Sequence, residues 1–234
     1  MASALVERFF ETLITGDRPA ARAVVEEAEQ TLGRPDAIVS ELFWPTYEMI
    51  QKLFRSDQLT VLNHNLATRL LRWLVDQNSA RLVMGPRLNR TIFCMCGPAE
   101  GEELGAQMAV DLLESAGFTV SFAGGGVAND EVLARVQDEK PDVLLMFSSA
   151  ASDLPSIRQL IDTIREIGAC ADVQVAVGGG VFNRAEGLAE EIGADVWAGS
   201  PLEMVETLIE RPNVRATSTQ RTVGRSKRAK TKAA

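Results

Sequence analysis

Along the first third of the chain, apolar residues recur every three to four positions. Leu5, Val6, Phe9, Phe10 and Leu13 share one helical face, and that run stops at Thr15-Gly16-Asp17. Asp17 is placed to cap a second helix, with Pro19 in its first turn and Ala21, Val24, Val25 and Ala28 on its apolar side. Gly33-Arg34-Pro35 closes that helix. A third starts at Asp36, carries Ile38, Val39, Leu42 and Phe43, passes Pro45 and reaches Phe54. After the turn at Arg55-Ser56-Asp57, a fourth helix runs from about Thr60 to Asn78 with Leu62, Leu66, Leu70, Leu71 and Leu74. Four amphipathic helices with short connections predict a bundle over residues 4–84.

Past the Gly85–Asn89 linker the period changes. Short apolar runs at Ile92–Cys96, Phe118–Phe122, Val143–Phe147, Val173–Val177 and Asp195–Ala198 read as buried strands. Helical patterns separate them at Leu104–Ser115, Asp130–Asp138, Pro155–Ile167 and Ala185–Ile192. This alternation predicts an α/β domain over residues 90–210, a five-stranded parallel sheet covered on both faces. In such a sheet ligands bind beyond the carboxyl ends of the strands, here the loops that start at Gly97, Ala123, Ser148, Gly178 and Ala198.

Charge adds a third region. The chain carries 24 basic and 32 acidic residues, a net charge of -8. From Arg215 to the end there are seven basic residues and no acidic one, so the body before it is strongly acidic. The body therefore repels nucleic acid, and only the tail could touch phosphates. With few apolar residues to fold around, residues 215–234 are expected to be a disordered basic tail. No stretch is long and apolar enough to span a membrane, no secretory signal is visible, and three cysteines make no disulfide framework. A cytoplasmic location with no membrane partner is expected.

Candidate chemistry is sparse. His64 is the sole histidine, on a helix where a structural role is the default and metal or tetrapyrrole ligation the alternative. Cys94 and Cys96 lack zinc spacing, and Cys96 reads as a buried thiol near the ligand end of its strand. Gly124-Gly125-Gly126 and Gly178-Gly179-Gly180 follow strands, and no Gly-x-x-x-x-Gly-Lys segment supports a nucleotidase. Trp44 and Trp73 fall at apolar helix positions and read as core. No pairing of a nucleophile with a base suggests an enzyme.

Several segments resemble the two-domain cobalamin-binding module found in methionine synthase, corrinoid methyltransferase proteins and light-sensing cobalamin-dependent transcription regulators. In the bundle they are Leu13-Ile14-Thr15-Gly16-Asp17-Arg18, Ile50-Gln51-Lys52-Leu53-Phe54 and Asn65-Leu66-Ala67-Thr68. In the second half they are Leu113–Val120, Lys140-Pro141-Asp142-Val143, Val177-Gly178-Gly179 and Ile192-Gly193-Ala194-Asp195. The resemblance spans Val6 to Glu210 and implies a flavodoxin-like or Rossmann-like cobalamin-binding fold.

It also implies a site. The family's Asp-x-His-x-x-Gly motif, whose His ligates cobalt from below, falls on Glu100, Gly101, Glu102, Glu103, Leu104 and Gly105, so Glu102 replaces the ligand. The regulators' cap residues, a Trp and a later Glu-His, fall on Phe54, His64 and Asn65. The Ser-x-Leu element that receives the nucleotide tail falls on Ser148-Ser149-Ala150, while Gly178 and Gly179 match. A carboxylate is a harder and poorer cobalt ligand than imidazole. The expectation is therefore a sensory or regulatory module acting through a protein partner, without His-ligated cobalamin. The alternatives are a corrinoid carrier protein of a methyltransferase, or a sensor that binds haem or a bilin in the same cavity. Cobalamin, another tetrapyrrole or no cofactor at all fits that reading, as does a homo-oligomer.

Overall fold

A computed structural model describes residues 2–98, 100–168, 170 and 172–216. The first half is helical: α1 (Ala2–Thr15), α2 (Arg18–Leu32), α3 (Pro35–Ile38), α4 (Trp44–Arg55) and α5 (Val61–Ser79). Asp17 caps α2, its side chain accepting from the Ala20 N–H at 3.0 Å. Thr60 caps α5 by accepting from Asn63 N–H at 3.1 Å.

The helix expected to run through Pro45 does so by a device. Proline has no N–H and crowds the carbonyl four residues back. Between α3 and α4 the chain widens into a π-helical turn, Val39–Phe43, and the Trp44 N–H bonds to Val39 O. Five residues per closed ring absorb the proline without ending the helix.

Then follow β1 (Thr91–Cys96), α6 (Glu100–Ser115), β2 (Thr119–Gly125), α7 (Asn129–Glu139), β3 (Val143–Phe147), α8 (Leu154–Ile167), β4 (Gln174–Gly178), α9 (Gly180–Arg184), α10 (Leu188–Ile192), β5 (Val196–Ala198) and α11 (Pro201–Glu210). The strands form one parallel sheet in the order β2-β1-β3-β4-β5. The order reverses between β1 and β3, so their carboxyl ends flank the switch point at which such sheets bind ligands.

Side-chain alternation splits the core. Ile92, Cys94, Cys96, Val143, Leu145 and Phe147 face α6 and α11, and that layer is continuous with the bundle core of Phe9, Leu13, Phe43, Ile50 and Leu71. Phe93, Met95, Leu144 and Met146 face the other way, onto Val132 of α7 and Ile157 and Ile161 of α8. Helix α6 thus packs on the sheet with one side and receives the bundle on the other. The linker is tacked to its end: Gly85 N–H bonds Ser115 O at 2.7 Å, and Leu88 N–H bonds Gly117 O at 2.9 Å. Gly117 has φ 103°, and a Cβ there would lie 2.0 Å from Pro86 O, so the junction requires glycine.

Three sequence expectations change. The final helix α11 was not foreseen, though Ser200 caps it and Pro201 opens it. The helix expected over Ala185–Ile192 starts only at Leu188 as α10, and a separate short helix, α9, precedes Ala185, which is in extended backbone. The basic tail was expected to be free from Arg215, yet its first two residues are bound to the body. Arg215 donates to Asp172 O at 2.6 Å, and the Ala216 N–H donates to Asp195 Oδ1 at 2.6 Å. The rest of the expected tail lies outside the described residues. Among the described residues no helix is long and apolar enough to cross a membrane.

Candidate functional site

The carboxyl ends of β1, β3 and β4 lie beneath α4 and α5. Glu102, in the first turn of α6, is buried there with 7 % exposure. Its Oε1 accepts the Ser149 N–H at 2.7 Å, which ties α6 to the loop after β3. Its Oε2 is buried without a hydrogen-bond partner. Gly97 makes room for it: a Cβ at that position would lie 1.8 Å from Glu102 Oε2 and 2.7 Å from Asp153 Oδ2. Two carboxyl groups therefore converge above Gly97. Burial pushes the Glu102 carboxyl above its ordinary range; the Ser149 N–H opposes the shift and the Asp153 charge adds to it.

From the bundle, Tyr47 lies over the first turn of α6. Its hydroxyl donates to Gly101 O at 2.9 Å, and a Cβ on Gly105 would lie 2.9 Å from that hydroxyl. Burial raises the Tyr47 phenol above its ordinary value, with Glu102 adding to the effect. Four residues on, Gln51 Nε2 lies 3.3 Å from His64 Nε2, and the His64 ring stacks on Phe54 with centroids 3.9 Å apart.

The expected site residues therefore separate. Phe54 and His64 stack on each other, and Gln51 joins them to Gly101, where a Cβ would meet Gln51 Nε2 at 3.1 Å. Asn65, one residue along α5 and so turned by about 100°, is exposed rather than beside His64. Glu100 begins α6, but its side chain lies outside the described residues. Glu103 pairs with Arg72 of α5 at 3.1 Å. Cys96 is buried, and burial, with Glu103 and Glu102 adding, pushes its thiol up to about 12, as befits an inert core cysteine. Both tryptophans are half-buried and pack against the core, as expected; Trp44 also lines a cleft, and Trp73 carries Arg18 at 4.6 Å from its ring centroid.

That cleft, about 400 Å³, lies between α4 and the loops after β3 and β4. Trp44, Tyr47, Gln51, Lys52 and Arg55 line it from the bundle, and Ser149, Gly180, Asn183 and Arg184 from the sheet. Its volume is typical of a small-molecule site. Sequence reasoning missed Tyr47, Gln51 and Arg55, whose spacing of four sets them on one face of α4. A second hollow of about 270 Å³ opens on the α7–α8 side, mostly apolar, with Asp153 at its wall.

The family model for a B12 binding domain matches residues 90–209, and a second B12 binding domain model matches residues 5–77. The chain belongs to the B12-binding-domain family. Among its relatives is dimethylamine corrinoid protein 1 of Methanosarcina acetivorans, 26 % identical over 210 residues that cover 86 % of this chain and 94 % of the relative. Dimethylamine corrinoid protein 2 of Methanosarcina mazei is 24 % identical over 203 residues, covering 86 % of this chain and 94 % of the relative. In fold, the monomethylamine corrinoid protein of Methanosarcina barkeri superposes with a TM-score of 0.69 at 15 % identity, over 90 % of this chain and 99 % of that one. The two-domain cobalamin-binding module expected from the sequence is thus the architecture of this chain.

The ligand positions fit a corrinoid only in part. Where the family's motif carries its histidine this chain has Glu102, and its single His is stacked on Phe54. The space at the nucleotide-tail element is filled by the protein itself. Ser148 is fully buried, its Oγ 3.1 Å from Asp153 Oδ2 and 3.0 Å from Ala150 O. A Cβ at Gly178 would meet the Phe147 ring at 2.7 Å and Met204 at 3.2 Å, and one at Gly179 would meet Ser148 O at 2.3 Å. The open space is the cleft under α4, whose aromatic wall and amide groups suit the face and the amide-bearing rim of a corrin.

Proposed function

We propose that this chain is a corrinoid-carrying protein that works beside a methyltransferase-type partner and holds its corrinoid without offering cobalt an imidazole. The observation that carries the reading is the end-to-end match with dimethylamine corrinoid proteins, through both the helical and the α/β halves. A structure of the methanol:cobalamin methyltransferase complex of Methanosarcina barkeri also shares the fold, with a TM-score of 0.50 at 16 % identity, over 95 % of this chain and 86 % of that one. A bound corrinoid would supply the cobalt that accepts and donates a methyl group. This chain's part is to hold the ring: Trp44 and Tyr47 present an aromatic wall, while Gln51, Asn183 and Ser149 face the rim with amide and hydroxyl groups. Tyr47 and Arg72 fasten the bundle to α6 beside it.

Glu102 favours a second reading. A carboxyl group where the family's motif carries its histidine suits a sensory or regulatory protein that signals to a partner through corrinoid occupancy. Incubation of the purified protein with hydroxocobalamin, followed by gel filtration and an absorption spectrum, tests both. Corrin absorbance that elutes with the protein at an unchanged elution volume supports the carrier. Corrin absorbance that comes with a shift in elution volume supports the sensor. Protein free of corrin absorbance contradicts both.

A further inference from the structure

We infer that Arg55 and Arg184 grip the phosphodiester of the corrinoid in the cleft under α4, so that its nucleotide stays outside the sheet. This rests on the corrinoid reading above. Cobalamin's ring carries uncharged amides, and its one fixed anionic group is the phosphodiester of the nucleotide loop. The cleft that suits the ring is the one lined by Lys52, Arg55 and Arg184, with Glu48 as its one carboxylate.

The two guanidiniums come from opposite walls. Arg55 closes α4, and Arg184 closes α9. Arg184 is positioned: its Nη2 donates to Ser149 O at 2.5 Å. Gly180 lets it fold back, since a Cβ there would lie 2.8 Å from Arg184 Nη1. Among the described residues neither arginine forms a salt bridge. Arg184 is less basic than usual, through partial burial and then the nearby charge of Arg55, with Glu102 opposing the shift. Two like charges held in one cleft repel, and a bound anion relieves that repulsion. Arginine suits the task because its planar fork matches phosphate oxygens in pairs.

The other hollow, on the α7–α8 side, has Asp153 at its wall and no lysine or arginine in its lining, so it offers a phosphate no cation. The tail element is closed by Phe147, Met204 and Ser148, and Tyr47 stands over Gly105. With the nucleotide outside and no imidazole beneath the ring, the corrinoid's own base is the nitrogen available to cobalt.

Titration of the full chain with cyanocobalamin and with dicyanocobinamide, which has the same ring without phosphate or base, followed by tryptophan fluorescence, tests the grip. Cobalamin is expected to bind roughly 10- to 100-fold tighter, the range for hydrogen bonds to a charged group. That advantage should shrink as salt is raised. In the double variant Arg55→Gln/Arg184→Gln, cobalamin should fall to the cobinamide level while cobinamide is unchanged. Equal binding of the two ligands by the native protein overturns the inference and leaves the corrinoid reading standing. Binding of neither ligand overturns the corrinoid reading and the inference together. Adenosine monophosphate that competes as strongly as cobalamin marks a general phosphate site and overturns the assignment to the corrinoid.

Discussion

Glu102, which falls where the family's motif carries its histidine, accepts the backbone N–H of Ser149 through Oε1 at 2.7 Å. The bond turns a ligand position into a brace between α6 and the loop after β3. Glu102→Ala leaves a buried N–H without a partner and should cost about 1–3 kcal/mol in urea denaturation. Glu102→Gln keeps an accepting oxygen and removes the charge. Because the folded-state pKa of Glu102 is raised, the native protein loses stability as pH rises from the ordinary carboxylate value of 4.5 through the raised one. Glu102→Gln should flatten that slope and be at least as stable as the native chain at pH 7. A Gln variant that melts lower at pH 7 than at pH 4 as steeply as the native protein would contradict this.

Asp111 titrates on the same principle. Burial pushes its carboxyl from 3.8 to about 6, against the opposing bond from Gln107. Below the lower value both folded and unfolded states hold the proton, and above the upper one the folded state carries the cost of a buried charge. Asp111→Asn is therefore expected to raise the melting temperature at pH 7.5 and to leave it nearly unchanged at pH 3.5.

Tyr47→Phe removes the hydroxyl that donates to Gly101 O and keeps the ring. The expected loss is about 1 kcal/mol. Because the bond joins the bundle to α6, hydrogen exchange should quicken in the first turn of α6 and not in α1 or α2.

Asp195 anchors several segments of the second half. Its side chain is fully buried, accepts from Arg165 at 2.6 and 2.7 Å and from Val175 N–H at 2.7 Å, and receives the Ala216 N–H. Asp195→Ala leaves a partly buried guanidinium without its partner and should cost about 3–5 kcal/mol. A chain ending at Ala216 should melt like the full chain. One ending at Val214 loses the contacts of Arg215 and Ala216 and should melt lower.

Much of the fold was legible because two periods divide the chain. Apolar spacing of three to four sets the bundle, and short apolar runs set the sheet. Pro45 did not end its helix because the π-turn at Val39–Phe43 took up the strain, a choice that tertiary packing makes. Helix α11 was missed although Ser200-Pro201 announces it. The site was legible only in part. Glu102 and Ser149 do meet, because the sheet order sets the first turn of α6 beside the loop after β3. Tyr47, Gln51 and Arg55 were passed over because a polar face on a bundle helix reads as solvated until the sheet is docked beneath it. Asn65 is exposed and turned away from His64, because adjacency in sequence is not adjacency on a helix.

The most direct test of the account is electron paramagnetic resonance of the cob(II)alamin form bound to protein uniformly labelled with nitrogen-15, using unlabelled cobalamin. If the corrinoid is held without an imidazole from this chain, the superhyperfine lines are the triplets of nitrogen-14 from cobalamin's own base. Doublets from nitrogen-15 would mean that a protein nitrogen, and His64 is the sole imidazole in the sequence, ligates the cobalt. That result would contradict the account.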